Sequence, residues 1–285
     1  MMHAIIASLL LKNNPSEARL VLIDPKRTEL TFYKNHPMLA CPIAKSPEEA
    51  LDVLGMSLNE MERRLAQMEA QNVRRWNGTK LYIFIDELAD LMLTSKKQTE
   101  QLISRIAMLG RAAGIHLVCA TQHPTANVVT SQIKNNMNTR IALHVANSKA
   151  SYIVLDAEKA DVEDFVGIPG AHKLTGKGDA ILRNSDGSMQ RFQGGYMSDD
   201  DLLAFCSSHV YEVIEEPKPQ APKFEIPQPQ AQEIAIPSCV HGEDVDMFKQ
   251  IQQKNEQDQN VKKIHINAKN GKVPFLVKVC EAIYS

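Results

Sequence analysis

The chain has 285 residues, 44% hydrophobic and 23% charged, enough for one sizeable core with flanking segments. Its 32 basic and 34 acidic side chains leave a formal charge of −2, so it lacks the strong positive charge of a dedicated nucleic-acid domain, and any such contact must be local, in a loop or a ring lumen. No run of about 18 apolar residues occurs, the five cysteines (41, 119, 206, 239 and 280) form no CxxC and the nine histidines no HExxH, which argues against a membrane span, a disulfide framework and a zinc site and suits a reduced, cytoplasmic protein.

In chain order, residues 3–12 carry an apolar face suited to a helix, and "ARLVLID" (18–24) is a continuous apolar run suited to a strand buried on both faces. Residues 46–70 have the pattern of a long amphipathic helix, with Leu51, Leu54, Leu58, Met61, Leu65 and Met68 at spacings of three and four. Ser46 is positioned as its N-cap, Pro47 suits the first turn, and Glu49 completes a capping box. A basic loop, "NVRRWNGTK" (72–80), precedes a second apolar strand, Leu81 to Ile85. Residues 99–114 suit a helix closed by Gly114, "IHLVCATQ" (115–122) a buried strand, 131–137 a short helix and 139–145 a strand. "GDAILR" and "MQRFQG" (178–183 and 189–194) suit a hairpin about "NSDG". Strands alternating with helices argue for an α/β domain with a largely parallel sheet.

Composition shifts near residue 215. The Pro- and Gln-rich stretch to 238 is expected to be a disordered linker, and 239–285 a small helical element or the start of a further domain. The expected division is therefore an α/β domain over 1–214, a linker over 215–238 and a C-terminal segment over 239–285.

The chemistry centres on "KLYIFIDELADLM" (80–92), where a buried strand delivers two carboxylates, Asp86 and Glu87, to its carboxyl edge. Acids at that place can cap the following helix. They can also hold a divalent cation and activate water, and ligands bind at that edge of open α/β sheets. The next strand ends in Gln122 at the same edge, a residue able to orient an attacking water or sense a phosphate. Arg105, Arg111 and Arg140 are cations that a neighbouring subunit of a ring could use to stabilise transition-state charge. Arg74, Arg75 and Lys80, flanking Trp76, are the local feature able to track a phosphate backbone; a solvated loop with the Trp packed inward is the plainer alternative.

"LVLIDPKRTEL", "IFIDELADLM", "RIAMLGRAAGIHLVCATQHP", "NNMNTRIALHV" and "ILRNSDGSMQRFQGGYMSDDDL" together resemble the motor domain of the FtsK/SpoIIIE family of DNA translocases, in the family's order and spacing, from about residue 3 to 205. The resemblance implies a RecA-like P-loop ATPase core that assembles as a hexameric ring and moves double-stranded DNA with ATP and Mg²⁺. It further implies that Asp86 holds Mg²⁺ through water, Glu87 is the catalytic base, and Gln122 the sensor. Arg111 and Arg140 match the family's "RAAG" and "RIA" arginines, acting on nucleotide or in trans. Lys26, in "DPK", would shape the nucleotide pocket, with helix capping by Asp24 an equal alternative. The chain departs from the pattern at His123, at His144 and in "SKASYIVLD", where the family carries arginine; Asp156 is kept.

No G-x-x-x-x-G-K-[S/T] phosphate loop is present: "GAHKLTGKGD" (170–179) has the wrong spacing and Gly178 where a hydroxyl is needed. The expectation is that the loop and the first core strand lie upstream of Met1, that the sheet position they leave exposes an unpaired edge, and that the chain by itself does not turn over ATP. The alternatives are a non-catalytic DNA-binding or ring-assembly remnant, and another RecA-like ATPase such as a secretion or conjugation coupling protein.

Overall fold

A computed structural model describes residues 1–157, 163, 166–208 and 276–279. The expected boundaries at 214 and 238 and most of the C-terminal segment lie outside the described residues.

The strands are β1 (Ala18–Ile23), β2 (Lys80–Ile85), β3 (Ile115–Thr121), β4 (Arg140–Leu143), β5 (Asp179–Arg183), β6 (Met189–Gln193) and β7 (Leu276–Val279). The helices are α1 (Met2–Lys12), α2 (Pro47–Ala70), α3 (Leu88–Leu109), α4 (Ser131–Asn136), α5 (Ser148–Leu155) and α6 (Asp199–Ser208). One sheet of seven strands runs β1-β2-β3-β7-β4-β5-β6. β1, β2 and β3 are parallel neighbours, whereas β7 is antiparallel to both β3 and β4, so β3 and β4 point the same way. β5 and β6 close the far side as the expected antiparallel hairpin.

The strands read as unbroken apolar runs because both faces are covered. Val21, Ile23, Ile83, Ile85, Leu117 and Cys119 face one core with α2 to α5. Leu20, Leu22, Tyr82, Phe84, Val118 and Ala120, the alternate positions, face a second core with α1 and Leu202 of α6. The outer edge of β1 is also protected: residues 38–44 run beside it, with Leu20 N donating to Met38 O at 2.7 Å and Ala44 N to Leu22 O at 3.0 Å. β7 lies inside the sheet, between β3 and β4, where Val118–Thr121 of β3 pair with it.

Helix starts follow the expected chemistry with one shift. Ser46 Oγ accepts from Glu49 N at 3.2 Å, but the Glu49 carboxylate accepts from Lys45 N at 2.6 Å, one residue earlier than a capping box predicts. The buried stripe of α2 is Ala50, Leu54, Ser57, Met61, Arg64 and Met68, with Leu51, Leu58 and Leu65 on its flank. Arg64 is admitted because its guanidinium is partnered: Nε donates to Glu60 at 2.7 Å, Nη1 to Ala113 O at 3.0 Å, and the plane lies 4.8 Å from the Trp76 ring. α3 begins eleven residues before the predicted 99, breaks at Ser95, and ends before Gly110. Gly114 instead has φ +67 in the turn into β3, where a side chain would strike Trp76 at 2.9 Å.

His116, on β3, is 5% exposed and stacks on Tyr82 with ring centroids 4.9 Å apart. It is a packed strand residue, the plainer of its two readings. Burial, then the charges of Lys80, Arg111 and Arg64, push its pKa down to about 4. The folded imidazole thus resists protonation more than the unfolded one, and stability is lost as pH falls from about 6.5 to about 4. Full loss is about 3 kcal/mol. His116→Phe is expected to flatten this acid limb in urea titrations at pH 4 and pH 7; an unchanged limb would remove His116 as its cause.

Candidate functional site

The site lies where β1, β2 and β3 end together. Asp24 follows β1, Asp86 and Glu87 follow β2, and Thr121 and Gln122 end β3. The parallel register brings Ile23 opposite Ile85 and Ile85 opposite Cys119, so the residues after each arrive side by side. Crossover connections allow parallel strands to discharge polar residues at one common edge.

Asp86 is 1% exposed, and neither carboxylate oxygen has a hydrogen-bond partner among the described residues. Burial, then the negative charges of Asp24, Glu29 and Glu87, push its pKa up to about 7, with Lys26 opposing. Asp24 is fully buried; its Oδ2 accepts from Glu29 N at 3.1 Å and Leu30 N at 3.0 Å, and its Oδ1 is unpartnered. Asp24 therefore holds the turn after β1, while the short helical turn at Thr31–Tyr33 carries no side-chain cap. Met1, Met2, His3, Glu29, Leu30 and Leu143 line a small cleft that reaches Asp86.

Glu87 differs from its neighbour. It is fully buried, and both oxygens are engaged. Oε1 accepts from Thr121 Oγ1 at 2.6 Å and Ala89 N at 3.2 Å, Oε2 takes a 3.0 Å bond from Lys26 Nζ, and the Gln122 amide donates across both. Glu87 thus caps α3 and also holds the ends of β1 and β3 together. Burial pulls the Lys26 ammonium down, but the bond to Glu87 and the charges of Glu87, Asp90 and Asp86 more than offset it, leaving its pKa raised. The pair keeps charge at the site without leaving a buried ion unpaired.

Of the residues singled out from sequence, Asp86, Glu87, Gln122 and Lys26 come together here. Arg140 does not. It is 1% exposed; Nη2 donates to Lys134 O at 2.6 Å, Nε to Met137 O at 3.2 Å, and Nη1 lies 3.4 Å from Asp156. Lys134 also bonds Asp156, so the guanidinium is enclosed by its own chain rather than presented outward. Arg105 pairs with Glu62 of α2 at 3.1 Å. Arg111 is exposed in the turn before β3, at the opposite sheet edge from Glu87. Arg74, Arg75 and Lys80 are exposed at that same far edge, while Trp76 is half-buried against Arg64 and donates from Nε1 to Thr79 O at 3.2 Å. The Trp is packed inward, so it offers no stacking platform.

Sequence reasoning missed Thr121 and the direct bond from Lys26 to Glu87. Thr121 was visible only as the residue before Gln122; its partner is 34 positions away.

The family model described as FtsK/SpoIIIE family matches residues 1–82 and 75–126. The DNA translocase FtsK of Staphylococcus epidermidis (strain ATCC 35984) is 35% identical over 244 residues, covering 77% of this chain and 29% of the relative. That of Tropheryma whipplei (strain TW08/27) is 38% identical over 222 residues, covering 70% of this chain and 28% of the relative. The chain therefore spans less than a third of these relatives' length. Among solved structures, the pCW3 conjugation coupling protein TcpA, in monomer form with ATPγS, superposes with a TM-score of 0.58 at 25% identity, over 71% of this chain and 59% of that one. EssC (ATPases 2 and 3) of Geobacillus thermodenitrificans gives a TM-score of 0.55 at 18% identity, over 71% and 39%, which supports the fold alone.

Proposed function

The chain belongs to the FtsK/SpoIIIE family, and from that premise we propose that it forms part of the motor of an ATP-driven double-stranded DNA translocase. The observation that carries the reading is the convergence of Asp86, Glu87 and Gln122 at one sheet edge, in a chain whose relatives are named DNA translocases. Chromosome segregation, conjugation and mobile-element transfer are all settings for such a motor.

The donor set fits the implied ligands. Hard divalent cations take carboxylate oxygens, and Asp86 holds two that are buried and unspent, beside Asp24 Oδ1. Asp86 would hold Mg²⁺ through water, and the cation would neutralise phosphate charge when nucleotide is bound. Glu87 is the base for the attacking water, and it must give up part of its hydrogen-bond set to act. Gln122 is held to Glu87 by its backbone amide at the end of β3, and its side chain is the proposed sensor. We assign use by a neighbouring subunit of a hexameric ring to Arg111, which is exposed, and the enclosure of Arg140 supports a structural role for it. Arg74, Arg75 and Lys80 supply local positive charge for DNA. No helix among the described residues is long and apolar enough to cross a membrane.

The test is a chimera in which residues 1–208 replace the matching segment of the S. epidermidis relative. DNA-stimulated ATP hydrolysis is expected, and Glu87→Gln should remove it. A folded chimera that binds nucleotide but hydrolyses none would overturn the reading. The second reading, a non-catalytic DNA-binding or assembly subunit, is favoured by the joint exposure of Arg74, Arg75 and Lys80 before β2. It predicts that this chain alone binds duplex DNA without nucleotide. The Arg74→Ala/Arg75→Ala pair should then weaken binding and lower the log–log salt slope by about 1–2. Binding that ignores both salt and this substitution would remove the basic loop from either reading.

A further inference from the structure

The basic loop and Arg111 meet at one small turn. Arg111 opens the turn between α3 and β3, and the three residues that follow it present three successive carbonyls. Each carbonyl is taken by a different element. Ala112 O accepts from Trp76 N, in the basic loop, at 2.9 Å. Ala113 O accepts from Arg64 Nη1, on α2, at 3.0 Å. Gly114 O accepts from Leu81 N, in β2, at 2.9 Å, and lies 3.4 Å from the same Arg64 nitrogen. The entry to the turn has no slack either: at Gly110 a side chain would strike the carbonyl oxygens of Ile106 and Ile115 at 2.5 Å.

Arg64 is the costly member of this arrangement. Met61 and Met68 on the same buried stripe are apolar, and an apolar side chain would fill the space without desolvating a guanidinium. What the arginine adds is polar reach: Nε is held by Glu60 at 2.7 Å while Nη1 spans to the turn. Its plane lies 4.8 Å from the Trp76 ring, whose Nε1 donates to Thr79 O at 3.2 Å. One buried guanidinium therefore grips both the turn after α3 and the tryptophan of the loop. Arg74 and Arg75 are exposed just before that tryptophan, and Arg111 is exposed just before the gripped carbonyls.

We propose that Arg64 and Trp76 are positioning residues that join the basic loop to the turn bearing Arg111, so that duplex DNA engaged by the loop also fixes Arg111. The inference rests on the proposed assignment of Arg74, Arg75 and Lys80 to DNA and of Arg111 to a neighbouring subunit, and it requires no nucleotide at this chain's own acid site. Energetic coupling is carried by packed and hydrogen-bonded groups, and here Trp76 adjoins Arg75 on one side of the link as Ala112 adjoins Arg111 on the other. A motor subunit that must sense DNA before acting on its neighbour gains a short route for that signal.

Hydrogen exchange on the full chain, with and without a short DNA duplex, tests it, and the emission of Trp76, the chain's single tryptophan, follows the loop. Arg64→Met keeps the volume and apolar contacts on α2 and removes the polar grip. Arg105→Met, which removes a surface pair with Glu62, is the control. Without DNA, Arg64→Met is expected to speed exchange at Gly114 and Ile115 severalfold and to red-shift Trp76 emission, with exchange in β5 and β6 and the Arg105→Met protein unchanged. Unaltered exchange at Gly114 and Ile115, or equal acceleration throughout the sheet, would overturn the clamp. With DNA, the unmodified chain is expected to slow exchange severalfold both at 73–76 and at 114–115. Arg64→Met should bind the duplex as tightly and slow exchange at 73–76, but not at 114–115. Slowing confined to 73–76 in the unmodified chain, or kept at 114–115 in Arg64→Met, would overturn the coupling. An unmodified chain that binds no duplex would remove the loop's assignment to DNA and the coupling with it, while the DNA-free comparison would still decide the clamp. None of these outcomes depends on ATP hydrolysis, so a failure of the motor reading shows separately.

Discussion

Asp86→Asn is expected to stabilise the folded chain by about 3–4 kcal/mol at pH 8 and by almost nothing below pH 4. The carboxyl is held near pKa 7 by burial and by Asp24, Glu29 and Glu87, against an ordinary value of 3.8. The folded state therefore binds this proton more tightly than the unfolded chain does. Raising the pH from about 4 to about 7 ionises Asp86 in the unfolded chain first, and stability falls across that window. Above about 7 the deficit is constant. Asparagine keeps the shape and removes the titration, so its advantage should grow across the window and then level. Urea midpoints of both proteins at pH 4, 6 and 8 decide it; a constant or shrinking gap would mean that the Asp86 charge is compensated in the fold. The sign opposes that of His116, which penalises low pH.

Arg140→Ala is expected to cost about 3–5 kcal/mol of stability. Its guanidinium links the end of α4 and the turn after it to the start of β4, through Lys134 O, Met137 O and Asp156. Removing it leaves buried carbonyls and a carboxylate short of partners and opens a cavity. Arg140→Lys should recover only part of the loss, because an ammonium cannot repeat the planar fork. Arg111→Ala, at an exposed position, should cost less than about 1 kcal/mol. Denaturant midpoints separate the roles. An Arg140→Ala protein as stable as its parent would return this arginine to a role in trans.

What this sequence determined by itself was local, though the start of α3 and the place of Gly114 were not legible in it. Unbroken apolar runs marked β1, β2 and β3, because a strand covered on both faces has no polar positions to spare. Ser46 and Pro47 marked the start of α2, and the acids after Ile85 marked the edge at which the candidate site forms, because capping and strand-end chemistry act within a few residues. The tertiary structure decided what depends on distant partners. Thr121 and Lys26 became ligands of Glu87 only when three strand ends met. Arg140 and Arg64, cations that any sequence pattern assigns to the surface, were buried because carbonyls and carboxylates from elsewhere enclose them. β7 was invisible in four residues of weak pattern; it became a strand because the gap between β3 and β4 supplied the backbone partners that no local propensity could.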